Sequence, residues 1–281
     1  MKNQQHLIYF RDGTKVSIST FVSVPEVSPI ILLLPAMGVK ASYYKKFAEN
    51  LQKSELTTIT ADLRGLGLSS IRPSKTIDFG YLELIEDTKE IIEYIRRNYP
   101  DQKIMALGHS LGGQIAVLAQ AKYNNLFDGI ILTAANAVYY KGWDGLQQYL
   151  NLFAYNLFPL LSRIIGYFPG DKVGFGGKAA KTQVIDWGHV ARNGYYKIIG
   201  DDLDYEKAMS ELNLPVLAIS IEEDLYSPQK AINHLLAKLN PTAPITKFTL
   251  TKQVTGAKLN HFNWVKHSKP IILAIKKWIS F

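Results

Sequence analysis

Six residues, Gly108-His109-Ser110-Leu111-Gly112-Gly113, stand between an apolar run, Lys103-Ile104-Met105-Ala106-Leu107, and a stretch of helical character from Gln114 to Lys122. This is Gly-x-Ser-x-Gly placed where a strand turns sharply into a helix. A turn that tight tolerates little bulk beside the serine. Gly108 and Gly112 supply the room, and Gly113 lets the helix pack close. Ser110 is then held at a strained bend with its hydroxyl exposed above a sheet, which makes it the candidate nucleophile.

The pattern on either side of the elbow repeats. Leu7 to Phe10 and Lys15 to Phe21 flank Asp12-Gly13, a strong hairpin signal. The continuous apolar run Ile30 to Leu34 suits a strand buried on both faces. Helical character is expected over Ser42 to Lys53, a strand over Thr57 to Ala61, and a helix over Tyr81 to Asn98. Beyond the elbow, strands are predicted at Gly129 to Thr133, Pro215 to Ile221 and Ile245 to Thr251. Helices are predicted at Pro228 to Leu239 and from about Lys269 to Ile279. Repeated strand-helix units imply a mostly parallel sheet with helices on both faces.

The alternation stops between residues 136 and 212. We expect residues 1–135 and 213–281 to form one core and 136–212 to be an insertion, a mainly helical lid. Its composition is unusual: 14 of the chain's 32 aromatic residues lie between Tyr139 and Tyr205. They suit the small core of a lid, and some of them suit the lining of an apolar pocket over the serine. Gly174-Phe175-Gly176-Gly177-Lys178 lacks the spacing of a phosphate loop and reads as a turn.

The formal charge of +8 could serve nucleic acid or an anionic surface. The lysines are scattered, however, and no nucleic-acid module is visible. No stretch is long and apolar enough to span a bilayer. Met1 to His6 lacks the apolar run of a signal peptide, so a cytoplasmic location is expected. The absence of cysteine excludes disulfides, a cysteine nucleophile and thiolate metal sites. No metal or organic cofactor is implied.

A serine needs a base to take its proton, and the base needs a carboxylate to orient it. In strand-helix architecture the chain order is serine, acid, histidine. Of six histidines, His261 is the candidate base, because its loop leaves the last strand at the carboxyl end, where ligands bind in open sheets. His267 begins the final helix and is the weaker candidate. Glu222-Glu223-Asp224 follows the strand ending at Ile221. Asp224 is favoured because Pro228 opens the next helix four residues on, with Glu223 the runner-up. Oxyanion donors are expected from the backbone N–H of Leu111 and from the loop Pro35-Ala36-Met37-Gly38, where Met37 is assigned and Ala36 is the alternative.

Taken in order, Pro35 to Gly38, Asp62-x-Arg64-Gly65-x-Gly67-x-Ser69, Gly108 to Gly113, Asp224-x-x-x-Pro228 and Asn260-His261-Phe262 resemble an α/β-hydrolase. Gly166-Tyr167-Phe168-Pro169-Gly170 and Asp186-Trp187-x-x-x-Ala191-Arg192 are similar to segments of predicted bacterial members grouped with serine aminopeptidase-like and monoacylglycerol-lipase-like proteins. The resemblance implies an α/β fold with an eight-stranded, mostly parallel sheet, a lid, and a triad of Ser110, Asp224 and His261. Many relatives carry His-Gly where this chain has Pro35-Ala36. The expected reaction is hydrolysis of a carboxylic ester, less so an amide, of an apolar small molecule. Acyl transfer by the same triad and a non-catalytic binding protein on the same scaffold are the rivals. Oligomeric state is not legible.

Overall fold

The computed structural model describes residues 3–23 and 29–280. Met1 and Lys2, the first residues of the stretch expected not to be a signal peptide, lie outside them. In chain order the elements are β1 (Asn3–Tyr9), β2 (Lys15–Phe21), β3 (Ile30–Leu34), α1 (Lys45–Lys53), β4 (Thr57–Ala61), α2 (Tyr81–Asn98), β5 (Ile104–His109), α3 (Leu111–Tyr123) and β6 (Gly129–Thr133). There follow α4 (Gly145–Ile165), β7 (Tyr167–Pro169), α5 (Gly170–Val173), β8 (Lys178–Ala180), α6 (Lys181–Asn193) and α7 (Tyr205–Ser210). The chain closes with β9 (Val216–Ile221), α8 (Gln229–Leu236), β10 (Ile245–Leu250), α9 (Lys252–Thr255) and α10 (Ser268–Ile279).

Eight strands form one sheet in the order β1-β2-β4-β3-β5-β6-β9-β10. Pairing is antiparallel at β1–β2 and β2–β4 and parallel from β4 to β10. From β3 the chain steps to β4 on one side, then returns to lay β5 on the other. That reversal is the switch point, and it opens a crevice at the carboxyl ends of β3 and β5. The loop after β3 and the elbow after β5 both empty into it.

Strand β3 shows why the sheet is buried on both faces. Ile30, Leu32 and Leu34 join a core with α2, α3 and α8, while Ile31 and Leu33 join a second core with α1 and α10. Alternation of side chains across the sheet divides one apolar run between two layers. Helix α3 is buried from Leu111 to Ala121 and has no polar face, as a helix in the centre of a large core requires.

Some boundaries differ from the sequence expectation. The helix expected from Ser42 begins as a 3-10 turn, Ala41–Tyr44, before α1. Helix α3 starts at Leu111, not Gln114, because the elbow's glycines hide the first turn from an apolar pattern. Helix α8 ends at Leu236. The last apolar residues to Leu239 tighten into i→i+3 bonds, Lys238 N–H to Leu235 C=O at 3.1 Å and Leu239 N–H to Leu236 C=O at 3.2 Å.

Between β6 and β9 the chain holds α4 to α7 and a short antiparallel ladder, β7–β8, that the sequence pattern does not show. Three-residue strands are too short for alternation to register. Helices α4 and α6 pack together, with the Tyr155 and Trp187 rings 4.9 Å apart. Asp186 ties this segment to the sheet layer: it accepts from Tyr81 N–H (2.9 Å) at the start of α2 and from Ile199 N–H (3.1 Å). No helix among the described residues is long and apolar enough to cross a membrane.

Candidate active site

Ser110 caps the N-terminus of α3 with φ 53° and ψ −115°, a region a non-glycine residue enters only when its surroundings enforce it. The surroundings do so here. Ser110 N–H donates to Thr133 C=O (3.1 Å) on β6, and Ser110 C=O accepts from Gly113 N–H (3.0 Å) and Gln114 N–H (3.3 Å). A Cβ on Gly112 would run into the carbonyl of Leu34, so the elbow seats directly on the end of β3.

Asp224 and His261 meet as expected. His261 Nδ1 lies 2.7 Å from Asp224 Oδ2, and both residues are buried. The other carboxylate oxygen, Oδ1, accepts from Tyr226 N–H (2.9 Å) and Ser227 N–H (3.2 Å), which fixes the plane of the acid. With Nδ1 donating to the carboxylate, Nε2 is left as the acceptor of the ring. Glu223, the runner-up, is exposed with φ 59° and makes no contact with His261, while Glu222 accepts from Lys252 N–H (2.7 Å). His267 ends a 3-10 turn before α10.

The serine is beside this pair but not bonded to it. Among the described residues Ser110 Oγ carries no hydrogen bond, to His261 or to any other group. Proximity comes through the residue before it: the His109 ring packs 4.8 Å from the His261 ring, centroid to centroid. Burial, with the neighbouring His261 adding to the effect, pushes the His109 imidazole well below its ordinary value, so His109 is neutral.

The expected oxyanion loop is a turn. Val39 N–H donates to Ala36 C=O (3.1 Å), and Gly38 at its third position has φ +72°, which asks for glycine. Ala36 N–H donates to Tyr44 Oη (3.1 Å) and is committed there. The backbone N–H groups of Met37 and Leu111 have no partner among the described residues. Met37 and Leu111 also line one small cavity, about 10 Å³, with Arg64, Phe79, Lys178 and Gln183, and Ser110 and His261 are not among its lining residues. That is room for about one water. Among the described residues no group of His, Cys, Asp or Glu could hold a metal ion.

Two contributors carry no clear signal in the sequence. Asn136 enters there only as the first residue of the expected insertion. It is buried, and its Nδ2 donates to Tyr226 C=O (3.0 Å) and Ser227 Oγ (2.8 Å), bracing the loop whose amides hold Asp224. The glycine turn Gly174 to Gly177 packs on the oxyanion loop, such that a Cβ on Gly38 would collide with Gly176 C=O. The turn also carries Phe175, whose ring lies 5.5 Å from Trp187, 5.5 Å from Phe158 and 6.3 Å from Tyr226. Tyr226 in turn lies 5.4 Å from His261. A row of aromatic rings thus runs from the segment between β6 and β9 to the candidate base. Only the crowding of aromatics in that segment signals it.

The serine aminopeptidase S33 family model matches residues 25–243. The chain belongs to this family. The match takes in Ser110 and Asp224 and stops short of His261. Mouse monoglyceride lipase is 28% identical over 103 residues, 37% of this chain and 33% of that protein. Mouse phospholipase ABHD3 is 23% identical over 270 residues, 86% of this chain and 63% of that protein. The chain spans about a third of the length of the monoglyceride lipases it matches. Among solved structures, a soluble variant of monoglyceride lipase from Saccharomyces cerevisiae in complex with a substrate analogue superposes with TM-score 0.73 at 16% identity, covering 100% of this chain and 96% of that one. An esterase from Exiguobacterium antarcticum gives 0.66 at 15% identity, covering 98% and 99%. The fold is that of the α/β-hydrolases.

Proposed function

We propose that this family member is a serine hydrolase that cleaves a carboxylic ester of an apolar small molecule through an acyl-enzyme. The observation that carries the reading is the buried His261–Asp224 bond of 2.7 Å beside a serine held at a strained elbow. His261 Nε2 takes the proton from Ser110 Oγ as the oxygen attacks the ester carbonyl carbon. The oxyanion that forms accepts from the N–H groups of Met37 and Leu111. As the tetrahedral adduct collapses, His261 gives its proton to the leaving alcohol. Water, activated by the same nitrogen, then releases the acid and restores Ser110.

We read residues 136–212 as a lid over the core formed by 1–135 and 213–281. Ser110 Oγ and His261 Nε2 come into hydrogen-bond reach as the ester binds. The relatives named lipases and esterases, together with the aromatic row, support an apolar substrate.

The test is hydrolysis of p-nitrophenyl butyrate and labelling by a fluorophosphonate probe. Wild type hydrolyses the ester and takes the label at Ser110. Ser110→Ala takes no label and loses more than about 10⁴-fold in kcat. A folded wild type that takes no label, or a Ser110→Ala variant that keeps its rate, overturns the reading.

A further inference from the structure

Resting on the hydrolase reading, we propose that Tyr44 is a positioning residue: with His109 behind the nucleophile, it holds the oxyanion loop so that Met37 N–H is the group aimed at the reacting oxygen. Tyr44, His109 and Trp264 are all fully buried. A phenylalanine would fill the same space as Tyr44, so the hydroxyl is kept for what it bonds. A buried hydroxyl is costly unless it is paired. Tyr44 Oη accepts from Ala36 N–H (3.1 Å) and shares a 2.7 Å bond with His109 Nδ1.

The bond to Ala36 decides the geometry of the next residue. Ala36 is held at both ends, its N–H by Tyr44 and its C=O by Val39 N–H (3.1 Å). Met37 follows Ala36 inside the turn that the Val39 N–H closes, with an amide that has no partner among the described residues. Without the Tyr44 hydroxyl, Ala36 N–H has no partner and the loop is free to turn a different amide inward. From the other side Gly176 packs against the same turn, so the loop is clamped from below by Tyr44 and from above by the lid.

Tyr44 is itself anchored. Its 3-10 turn starts at Ala41, whose N–H donates to Asp62 Oδ1 (2.8 Å), and Asp62 Oδ2 accepts from Leu68 N–H (3.0 Å). The Asp62 of the Asp62-x-Arg64-Gly65-x-Gly67 string thereby sets the turn that aims Tyr44. On the far side, His109 is boxed by Trp264, whose Nε1–H points at His109 Nε2 (3.4 Å), and by the His261 ring at 4.8 Å. With Nε2 accepting from Trp264, the neutral imidazole carries its proton on Nδ1 and donates it to Tyr44 Oη. The same small network therefore touches the oxyanion loop at one end and the base at the other.

The experiment compares wild type with Tyr44→Phe on p-nitrophenyl butyrate. It adds the inhibition constant of a trifluoromethyl ketone, which forms a tetrahedral adduct with the serine. We expect kcat to fall about tenfold with KM within about twofold, because the loop acts only as charge develops on the oxygen. The trifluoromethyl ketone should weaken by the same factor, and the pH profile of kcat should keep its midpoint. A kcat within about twofold of wild type, or a fall matched by an equal rise in KM, overturns the proposal. If Tyr44→Phe does not fold, His109→Leu carries the test. It removes the partner that fixes the Tyr44 hydroxyl, so kcat should fall about threefold or more at constant KM, and an unchanged kcat overturns the proposal. A wild type inert to the ester and to fluorophosphonate fails at the hydrolase reading, before the role of Tyr44 is reached.

Discussion

At the scale of single residues, the decisive contrast is between two adjacent acids. Asp224 turns inward and Glu223 outward because Glu223 takes a left-handed backbone, φ 59°, that rotates the chain between them. The neighbouring amides of Tyr226 and Ser227 then close on the Asp224 carboxylate. Asp224→Asn should lower kcat about 10⁴-fold while the fold survives, since the amide favours the wrong tautomer of His261. Glu223→Gln should leave kcat within about twofold. Equal losses in the two variants, measured on p-nitrophenyl butyrate, would mean that neither acid orients the base. The acid and the histidine are legible in the sequence because chain order and strand ends restrict where each can stand. Asn136 is not, because bracing a loop leaves no motif. Nor is Tyr44, whose partners are a backbone amide and a histidine 65 positions away in sequence.

At the scale of elements, strands and long helices follow from apolar periodicity, and the errors fall where geometry departs from it. The 3-10 turn at Ala41–Tyr44 and the first turn of α3 have no regular apolar spacing. The contact that joins α6 to α2 is likewise a polar one. Asp186 accepts two backbone N–H groups there, and burial pushes its carboxyl up to about 7 from an ordinary 3.8. The two amides pull the other way, and burial wins. Folded chains therefore bind a proton at Asp186 that unfolded chains have released between pH about 4 and about 7. Its contribution to stability is fully present below that window and is lost as pH rises through it. Asp186→Asn does not titrate. The melting temperature of Asp186→Asn relative to wild type should therefore rise from pH about 4 to about 7 and level off above about 8. A difference constant across that range would show that folding does not raise the Asp186 pKa.

At the scale of the whole molecule, the sheet order places the site. Because β4 and β5 flank β3 on opposite sides, the Pro35–Gly38 loop and the Ser110 elbow share the switch-point crevice, and β9 and β10 bring Asp224 and His261 to the same edge. That arrangement is legible from the order of strands and motifs. The contact between the glycine turn and Gly38 is not, since it joins segments some 140 residues apart that carry no complementary pattern. Through that turn the segment between β6 and β9 reaches both the Pro35–Gly38 loop and, by way of Phe175 and Tyr226, His261. If Phe175 meets the acyl chain of the substrate, its loss should weigh on long esters and spare short ones. An apolar contact of this size is worth about 1–3 kcal/mol, or about 10–200-fold in specificity. Phe175→Ala should thus lower kcat/KM for p-nitrophenyl octanoate about tenfold relative to p-nitrophenyl acetate. An equal fall on both esters would assign Phe175 to holding the Gly174–Gly177 turn against the Pro35–Gly38 loop, and would leave the acyl chain to be met by other side chains.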